Sequence, residues 1–360
     1  MKKIIAMLMV LVMVLGLAAC GGSSAPAAST TAPAASTTTT TTQAPAASTE
    51  PAKLLDSPLE FKISFTEGMA TAHGQWVAWA CDQVKEKTNG EVIITPYPDA
   101  QLGTNNEVLE QVLNGAPIIV AAGYDNLSSY VESCIPYAIP YVFETPEEVC
   151  KFGTSEFFDE LAADITSTLN IRPIMSGSLG SRHFISTCKI TCADDIKGHI
   201  IRMGQAQPCQ EFVTVMGGTP ATSAWADNYS MLQSKQIEAC EAAIDLLWSS
   251  SLYEVCPYLC LSGHLSTPAT YEISTTYWDM IPAEYQQVVL DAFNECALGM
   301  AEQQTAEAGA YVDKFKEAGT EVCENPDIAS FTSYLPALFE SLGIPTTKYD
   351  EIRAAIDAVM

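Results

Sequence analysis

A chain of 360 residues has room for two ordinary domains or one large one, and a hydrophobic content of 48% supplies a sizeable core. Its 17 Lys and Arg stand against 43 Asp and Glu, a formal net charge of −26. That balance excludes nucleic acid and anionic lipid faces as partners, because both need a basic footprint.

The N-terminus reads as an address rather than as fold. Lys2 and Lys3 precede an apolar run from Ile4 to Leu17, too short to span a bilayer and typical of a signal-peptide core. The run ends in Leu17-Ala18-Ala19-Cys20, followed by Gly21-Gly22, which resembles the bacterial lipobox. Residues 1–20 are therefore expected to be a lipoprotein signal. Cys20 is expected to carry the lipid, leaving the protein extracytoplasmic and anchored to the cell membrane. Residues 21–57, mostly Thr, Ala, Ser and Pro, read as a disordered tether. No later apolar run approaches membrane length.

The body then alternates strand and helix patterns. Phe61–Phe65 reads as a strand, Val77, Ala80 and Val84 recur at helical spacing, and Asn89-Gly90 is a helix stop. Glu91–Thr95 is a second strand. A helix from Thr104 to Asn114 follows, with Gly115 as its cap, and Pro117–Ala122 is a short, wholly apolar third strand. This β-α-β-α-β order predicts an open parallel sheet covered by helices. The alternation resumes with strands at Ile171–Ser176, Arg182–Ser186 and His199–Met203, a helix at Gln207–Met216, a helix carrying Tyr229, Leu232 and Gln233, and a strand at Ile237–Ala242. Thr270–Ser274 is again strand-like, and residues 283 to 318 predict a helix on the order of 50 Å long, with Gly299 and Gly309 as points of bending.

Candidate chemistry centres on the arginines, of which there are only four: Arg172, Arg182, Arg202 and Arg353. Two of them bracket one short block. A planar guanidinium meets a carboxylate with two parallel hydrogen bonds, so two arginines together suggest an anion site in a chain otherwise hostile to anions. Arg202 ends a predicted strand, where ligands bind in open α/β sheets. Cys188-x3-Cys192 and Cys256-x3-Cys260 with His264 sit near metal-ligand spacing, but on a strand the first pair would lie about 13 Å apart, and no metal is expected. The eleven cysteines other than Cys20 are scattered, and several, such as Cys81 and Cys296, lie in apolar periodic segments as small hydrophobes. Nucleophile-elbow, phosphate-loop, zinc-protease and dinucleotide motifs are absent, so neither an enzyme nor a cofactor is indicated. His73 offers a general base, a ligand contact at a helix N-terminus, or a solvated side chain. Trp225 is either core or a stacking surface.

Taken in order, these segments resemble the solute-binding proteins of TRAP transporters, the DctP-like family. The resemblance rests on Arg182-x-Phe-x-Ser-Thr, Asp194-Asp195-Ile196-Lys197-Gly198-x-x-Ile-Arg202, Met216-Gly217-Gly218-Thr219-Pro220 and Asp227-x-Tyr229-x-x-Leu232-Gln233. Tyr97-Pro98-x-x-Gln101-Leu102-Gly103, Pro136–Phe143, Gly263-His264 and Tyr277-Trp278-Asp279-x-Ile281-Pro282 extend it over most of the body. It implies a periplasmic-binding-protein-like α/β fold, with two α/β domains around a ligand cleft, a hinge and a long spanning C-terminal helix. Domain I would comprise 58–179 with 268–307, and domain II 180–267 with 308–360. It implies a small organic acid as ligand and integral-membrane transporter subunits as partners. Arg202 matches the arginine that grips the substrate carboxylate, Arg182 a second cleft arginine, and Trp225 a ligand-contacting aromatic. Thr66, Glu67, Thr104, Gly123 and Tyr124 fall in the loops that supply the other domain's contacts. One departure stands out: the family's Asp-Gly-x-Glu-Asn is here Glu238-Ala239-Cys240-Glu241-Ala242. Glu241 and Ala242 belong to the site by position, and Ala242 replaces a ligand-touching asparagine, which suggests a smaller or less hydroxylated substrate than a sugar acid. A ligand-sensing lipoprotein, an exported metal-binding protein and an exported enzyme are the competing readings.

Overall fold

A computed structural model describes residues 53–360. Cys20, the signal and most of the tether lie outside the described residues. Nine strands form the sheet: β1 (Leu59–Ser64), β2 (Val92–Tyr97), β3 (Ile118–Gly123), β4 (Ile171–Ser186), β5 (Ile200–Arg202), β6 (Thr219–Ala221), β7 (Ala239–Ala243), β8 (Tyr258–Ser274) and β9 (Glu321–Cys323). Their order is β2-β1-β3-β8-β4-β7-β5-β6, with β9 on the free edge of β8.

Two strands run the length of the body. β4 and β8 pair antiparallel from Ile171↔Ser274 to Ser186↔Tyr258. At one end β3, β1 and β2 extend the sheet from β8, and at the other β7, β5 and β6 extend it from β4. The outer strands are parallel within each lobe, while β3–β8, β4–β8 and β4–β7 are antiparallel. The expected purely parallel sheets are thus corrected to mixed ones. Likewise, the two strands expected at 171–176 and 182–186 are one, and Thr270–Ser274 is only the tail of a 17-residue strand.

The reason lies in the crossover segment. Gly177-Ser178-Leu179-Gly180-Ser181 carries turn-type residues, yet Ser178 and Ser266 are fully buried and Ser181 Oγ lies 3.2 Å from Ser266 Oγ. Small side chains are demanded there because a Cβ on Gly177 would stand 3.3 Å from Ala297 Cβ of the long helix overhead. Tertiary packing, not local propensity, keeps the segment extended. The ladder shifts register between Ser178 and Ser181, and Gly180 has φ +97° with Ala243 Cβ 3.0 Å from its would-be Cβ, so only glycine fits.

The long helix, Ala283–Glu317, has 35 residues and spans about 50 Å. Tyr285 through Ala301 bury against the β1–β3 lobe, while Val312 and Phe315 bury against the other. Between them, Gln304–Tyr311 roofs a cavity of about 530 Å³ at the crossover. Gly299 serves close packing, since the Trp76 ring occupies the space its Cβ would need, and Trp76 Nε1 donates to Gln303 Oε1 at 2.8 Å. The last helix, Thr347–Asp357, returns to residues 142–148: Arg353 Nη1 donates to Val142 O at 3.0 Å and to Glu148 Oε2 at 2.7 Å. Among the described residues no helix is long and apolar enough to cross a membrane.

Candidate functional site

Open α/β sheets bind ligands beyond the carboxyl ends of their parallel strands, and charges that follow those ends in one lobe, Glu67 and Asp125, act on Arg182 of the other, which marks the candidate cleft. From one lobe come Thr66 and Glu67 after β1 and Gly123 ending β3. From the other come Arg202 ending β5, the Ser223–Trp225 stretch after β6, and Asp245 after β7. The lobes touch across the mouth, where Asn106 Nδ2 donates to Gln205 Oε1 at 2.8 Å. Asn126 Nδ2 donates to Asn106 Oδ1, also at 2.8 Å, so a chain of amides fixes this contact.

Arg182 and Arg202 differ in how they are satisfied. Arg182 Nη2 donates to Glu241 Oε1 at 2.7 Å and to the Glu241 carbonyl at 2.9 Å, and its Nε donates to Oε2. Register explains the pairing: Arg182 faces Ala243 across β4–β7, so Glu241 is its diagonal neighbour on the same face. His264 Nε2 lies 3.4 Å from Glu241 Oε2. The imidazole is fully buried, stacked on Phe184 with centroids 4.4 Å apart, and its Nδ1 is 2.8 Å from Ser262 Oγ. Burial alone would raise the Glu241 pKa, but the Arg182 charge and hydrogen bond, helped by His264, hold it down at about 2. The same pairing outweighs burial and raises Arg182 above its ordinary value.

Arg202 is only 9% exposed and has no such partner. Nη2 donates to the Ser223 carbonyl at 3.0 Å, its Nε has no partner, and the guanidinium carbon sits 5.5 Å from the centre of the Trp225 ring. Trp225 is itself oriented by Nε1 donating to Ser250 Oγ at 3.0 Å. No ion pair of the described residues includes Arg202. Burial, with the like charge of Arg182 added, lowers its pKa despite Glu241 nearby. A buried cation without a counterion is costly, and an incoming anion removes that cost.

The opposite wall is acidic. Glu67 Oε2 lies 2.8 Å from His73 Nδ1, and the other ring nitrogen of His73 meets the Tyr271 hydroxyl. His73 is 1% exposed, which corrects the solvated alternative. Burial pushes Glu67 up, but His73 more than compensates and its pKa falls. Asp245 is pushed up to about 6, by burial first and by the Glu67 charge. Burial also raises Asp125, although Arg182 opposes the shift.

The other residues singled out in the sequence are placed as follows. Thr66 Oγ1 donates to Asn105 Oδ1 at 3.0 Å at the cleft rim. Thr104 is exposed and caps the helix Asn105–Leu113, exchanging hydrogen bonds with Glu107. Gly123 N donates to Asn126 Oδ1 at 2.9 Å. Tyr124 is fully buried among Tyr137 and Phe152, with its hydroxyl 3.0 Å from Ser176 Oγ. Ala242 is also fully buried, in the cluster that holds Cys240, Ile244 and Phe315. Cys188 and Cys192 follow β4 rather than lying on a strand, and Cys192 Sγ donates to Asp195 Oδ2 at 3.6 Å. Among the described residues no three His, Cys, Asp or Glu side chains group as metal ligands, and the eleven cysteines are free thiols. Sequence reading missed Asp125, Asp245 and the role of His264 beside Glu241. The signal that could have found the two aspartates is position, since each follows the end of a parallel strand by two residues.

Comparison with known proteins identifies the family and the fold. The profile of DctP, "Bacterial extracellular solute-binding protein, family 7", matches residues 68–342. The 2,3-diketo-L-gulonate-binding periplasmic protein YiaO of Escherichia coli K12 is 24% identical over 255 residues, 71% of this chain and 77% of the relative. The sialic acid-binding periplasmic protein SiaP of Vibrio cholerae is 22% identical over 261 residues, 72% of this chain and 80% of the relative. A TRAP periplasmic solute-binding protein from Actinobacillus succinogenes, solved with bound L-galactonate, superposes with a TM-score of 0.78 at 23% identity, covering 83% of this chain and all of that one. The two-lobed α/β architecture is thus the periplasmic-binding fold, and the chain belongs to the bacterial extracellular solute-binding protein family 7, the DctP family.

Proposed function

We propose that this chain is the solute-binding subunit of a TRAP-type secondary transporter and that Arg202 is the anchor for the carboxylate of a small organic acid. The observation that carries the reading is Arg202, nine-tenths buried, outside every ion pair of the described residues, and braced by Trp225 and the Ser223 carbonyl. A ligand carboxylate meets its free Nε edge in a forked pair, and closure of the lobes strengthens the pair as water leaves. Arg182, already held by Glu241, shapes the cleft field and lies within reach of the ligand rather than serving as its first anchor. Trp225 stacks on the solute, and Thr66, Glu67, Thr104 and Gly123 border it from the facing lobe. Tyr124 and Ala242 support the walls from beneath.

Relatives named for 2,3-diketo-L-gulonate and sialic acid, both organic acids, support the carboxylate assignment. A domain division near residues 180 and 267 is supported by one of the register shifts of the β4–β8 ladder, at Ser178–Ser181 opposite Ser266–Pro268, and on this reading the crossover acts as the hinge. Ligand contacts with both lobes bias that hinge toward the closed form that membrane subunits read. The lipobox-like Leu17-Ala18-Ala19-Cys20 supports an extracytoplasmic, lipid-anchored protein, and the reading is binding without catalysis. A thermal-shift screen of carboxylic acids beside their uncharged amides tests it: acids stabilise by mass action and amides do not. Equal shifts for acids and amides, or none for any acid, contradict it.

A further inference from the structure

Beside Arg202 the cleft carries carboxylates that a plain organic acid would leave without a partner. Arg182 and Glu241 neutralise each other, and Glu67 is engaged by His73. What remains is one unpaired cation, Arg202, and two carboxylates outside every ion pair of the described residues, Asp125 and Asp245. A simple carboxylate would satisfy Arg202 and leave both acids facing an added negative charge.

Asp125 is placed to matter for the ligand. It is half-buried at the end of β3, and its Oδ1 occupies the space a Cβ on Gly123 would need. Its Oδ2 reaches across the cleft to within 3.9 Å of a would-be Cβ on Gly204, two residues beyond Arg202. Asp125, Arg182, Arg202 and Glu241 all act electrostatically on the buried Cys209. Among the described residues the Asp125 carboxylate is met by backbone N–H groups of Asp125 and Asn126 and by no cationic side chain within ion-pair distance. Arg202, nine-tenths buried with a free Nε, is the second and independent sign that a ligand belongs here.

We infer that the solute is an amino-acid-like zwitterion, with its carboxylate on Arg202 and its ammonium group on Asp125. The inference rests on the solute-binding reading above and narrows its ligand class. Asp125 feels the Arg182 charge but is in no ion pair of the described residues; an ammonium group supplies that direct partner, and charge-assisted hydrogen bonds to a carboxylate withdrawn from water are the strong kind. Asp245, beside Glu67, adds to the negative field that selects a cationic end and rejects dicarboxylates. The same wall disfavours sugar acids, which bring hydroxyls but no positive charge.

The test is calorimetric titration of the purified chain with matched pairs that differ only in amino against hydroxyl: alanine and lactate, glutamate and 2-hydroxyglutarate, leucine and 2-hydroxy-4-methylpentanoate, phenylalanine and phenyllactate. The expected result, for the skeleton that fits, is at least tenfold tighter binding of the amino acid. Asp125→Asn should close most of that gap while leaving the hydroxy acid's affinity unchanged or improved. Equal or tighter binding of the hydroxy acid overturns the inference and leaves the carboxylate anchor standing. Binding of neither series overturns both. The matched pairs are compared on the unaltered protein, so a variant that fails to fold does not weaken the test.

Discussion

Arg182 and Arg202 are neighbours in one cleft, yet they show opposite electrostatic states. Arg182 is locked by Glu241, which in turn leans on His264. Arg202 is buried as deeply as a core residue but has only a carbonyl and an aromatic face for company. The contrast shows that a candidate binding site stands out by what it leaves unsatisfied. A paired buried charge belongs to the scaffold, whereas an unpaired one is held ready for a partner from outside.

The largest expected effect comes from breaking the satisfied pair. Glu241→Gln leaves Arg182 buried without its counterion and should cost about 3–5 kcal/mol of stability, measured by denaturant unfolding. Arg202→Ala sharpens the contrast because its two effects have opposite signs. Ligand affinity should fall by about 2–5 kcal/mol in a calorimetric titration. Stability without ligand should hold or rise, since an uncompensated buried charge has been removed.

Acid separates the two regions in a different way. Glu241 has a folded-state pKa depressed to about 2 against an ordinary 4.5, so its contribution is fully present above pH 4.5. That contribution is lost as pH falls from 4.5 towards 2, and it amounts to about 3 kcal/mol. In Glu241→Gln this stretch of the stability–pH curve should flatten. Asp245 acts with the reverse sign: its pKa is raised to about 6, so its ionisation reduces stability as pH climbs from about 4 to 6. Asp245→Asn should remove that decline. The smallest expected effect is Trp225→Ala, which removes the ring beneath Arg202 and should weaken ligand binding by about 1 kcal/mol.

Much of the frame was legible in the sequence because it rests on local signals. The helix Asn105–Leu113 begins at the Thr104 cap with Glu107 three residues on, and the long helix follows from nearly continuous helix formers, broken only by Gly299 and Gly309. Arg202 was legible because it ends a β-branched strand in an acidic chain. The long strands β4 and β8 were not, since their glycines and serines read as turns until the helix that packs on them is known. The Arg182–Glu241 pair depends on a diagonal across an antiparallel ladder, set by register between segments about sixty residues apart. Asp125 was hidden among 43 acidic residues, and only the fold brings it into the field of Arg182. Ala242 was read by position as a ligand contact, but the alternation of β7 places it with Cys240 and Ile244 in the core.

The most direct test of the central claim is a paired measurement on Arg202→Ala: the affinity for the solute that stabilises the unaltered protein, and the melting temperature without it. Affinity should fall at least thirtyfold, corresponding to about 2 kcal/mol, with an unchanged or higher melting temperature. Unchanged affinity, or a melting temperature that falls as far as that of Glu241→Gln, would contradict the claim.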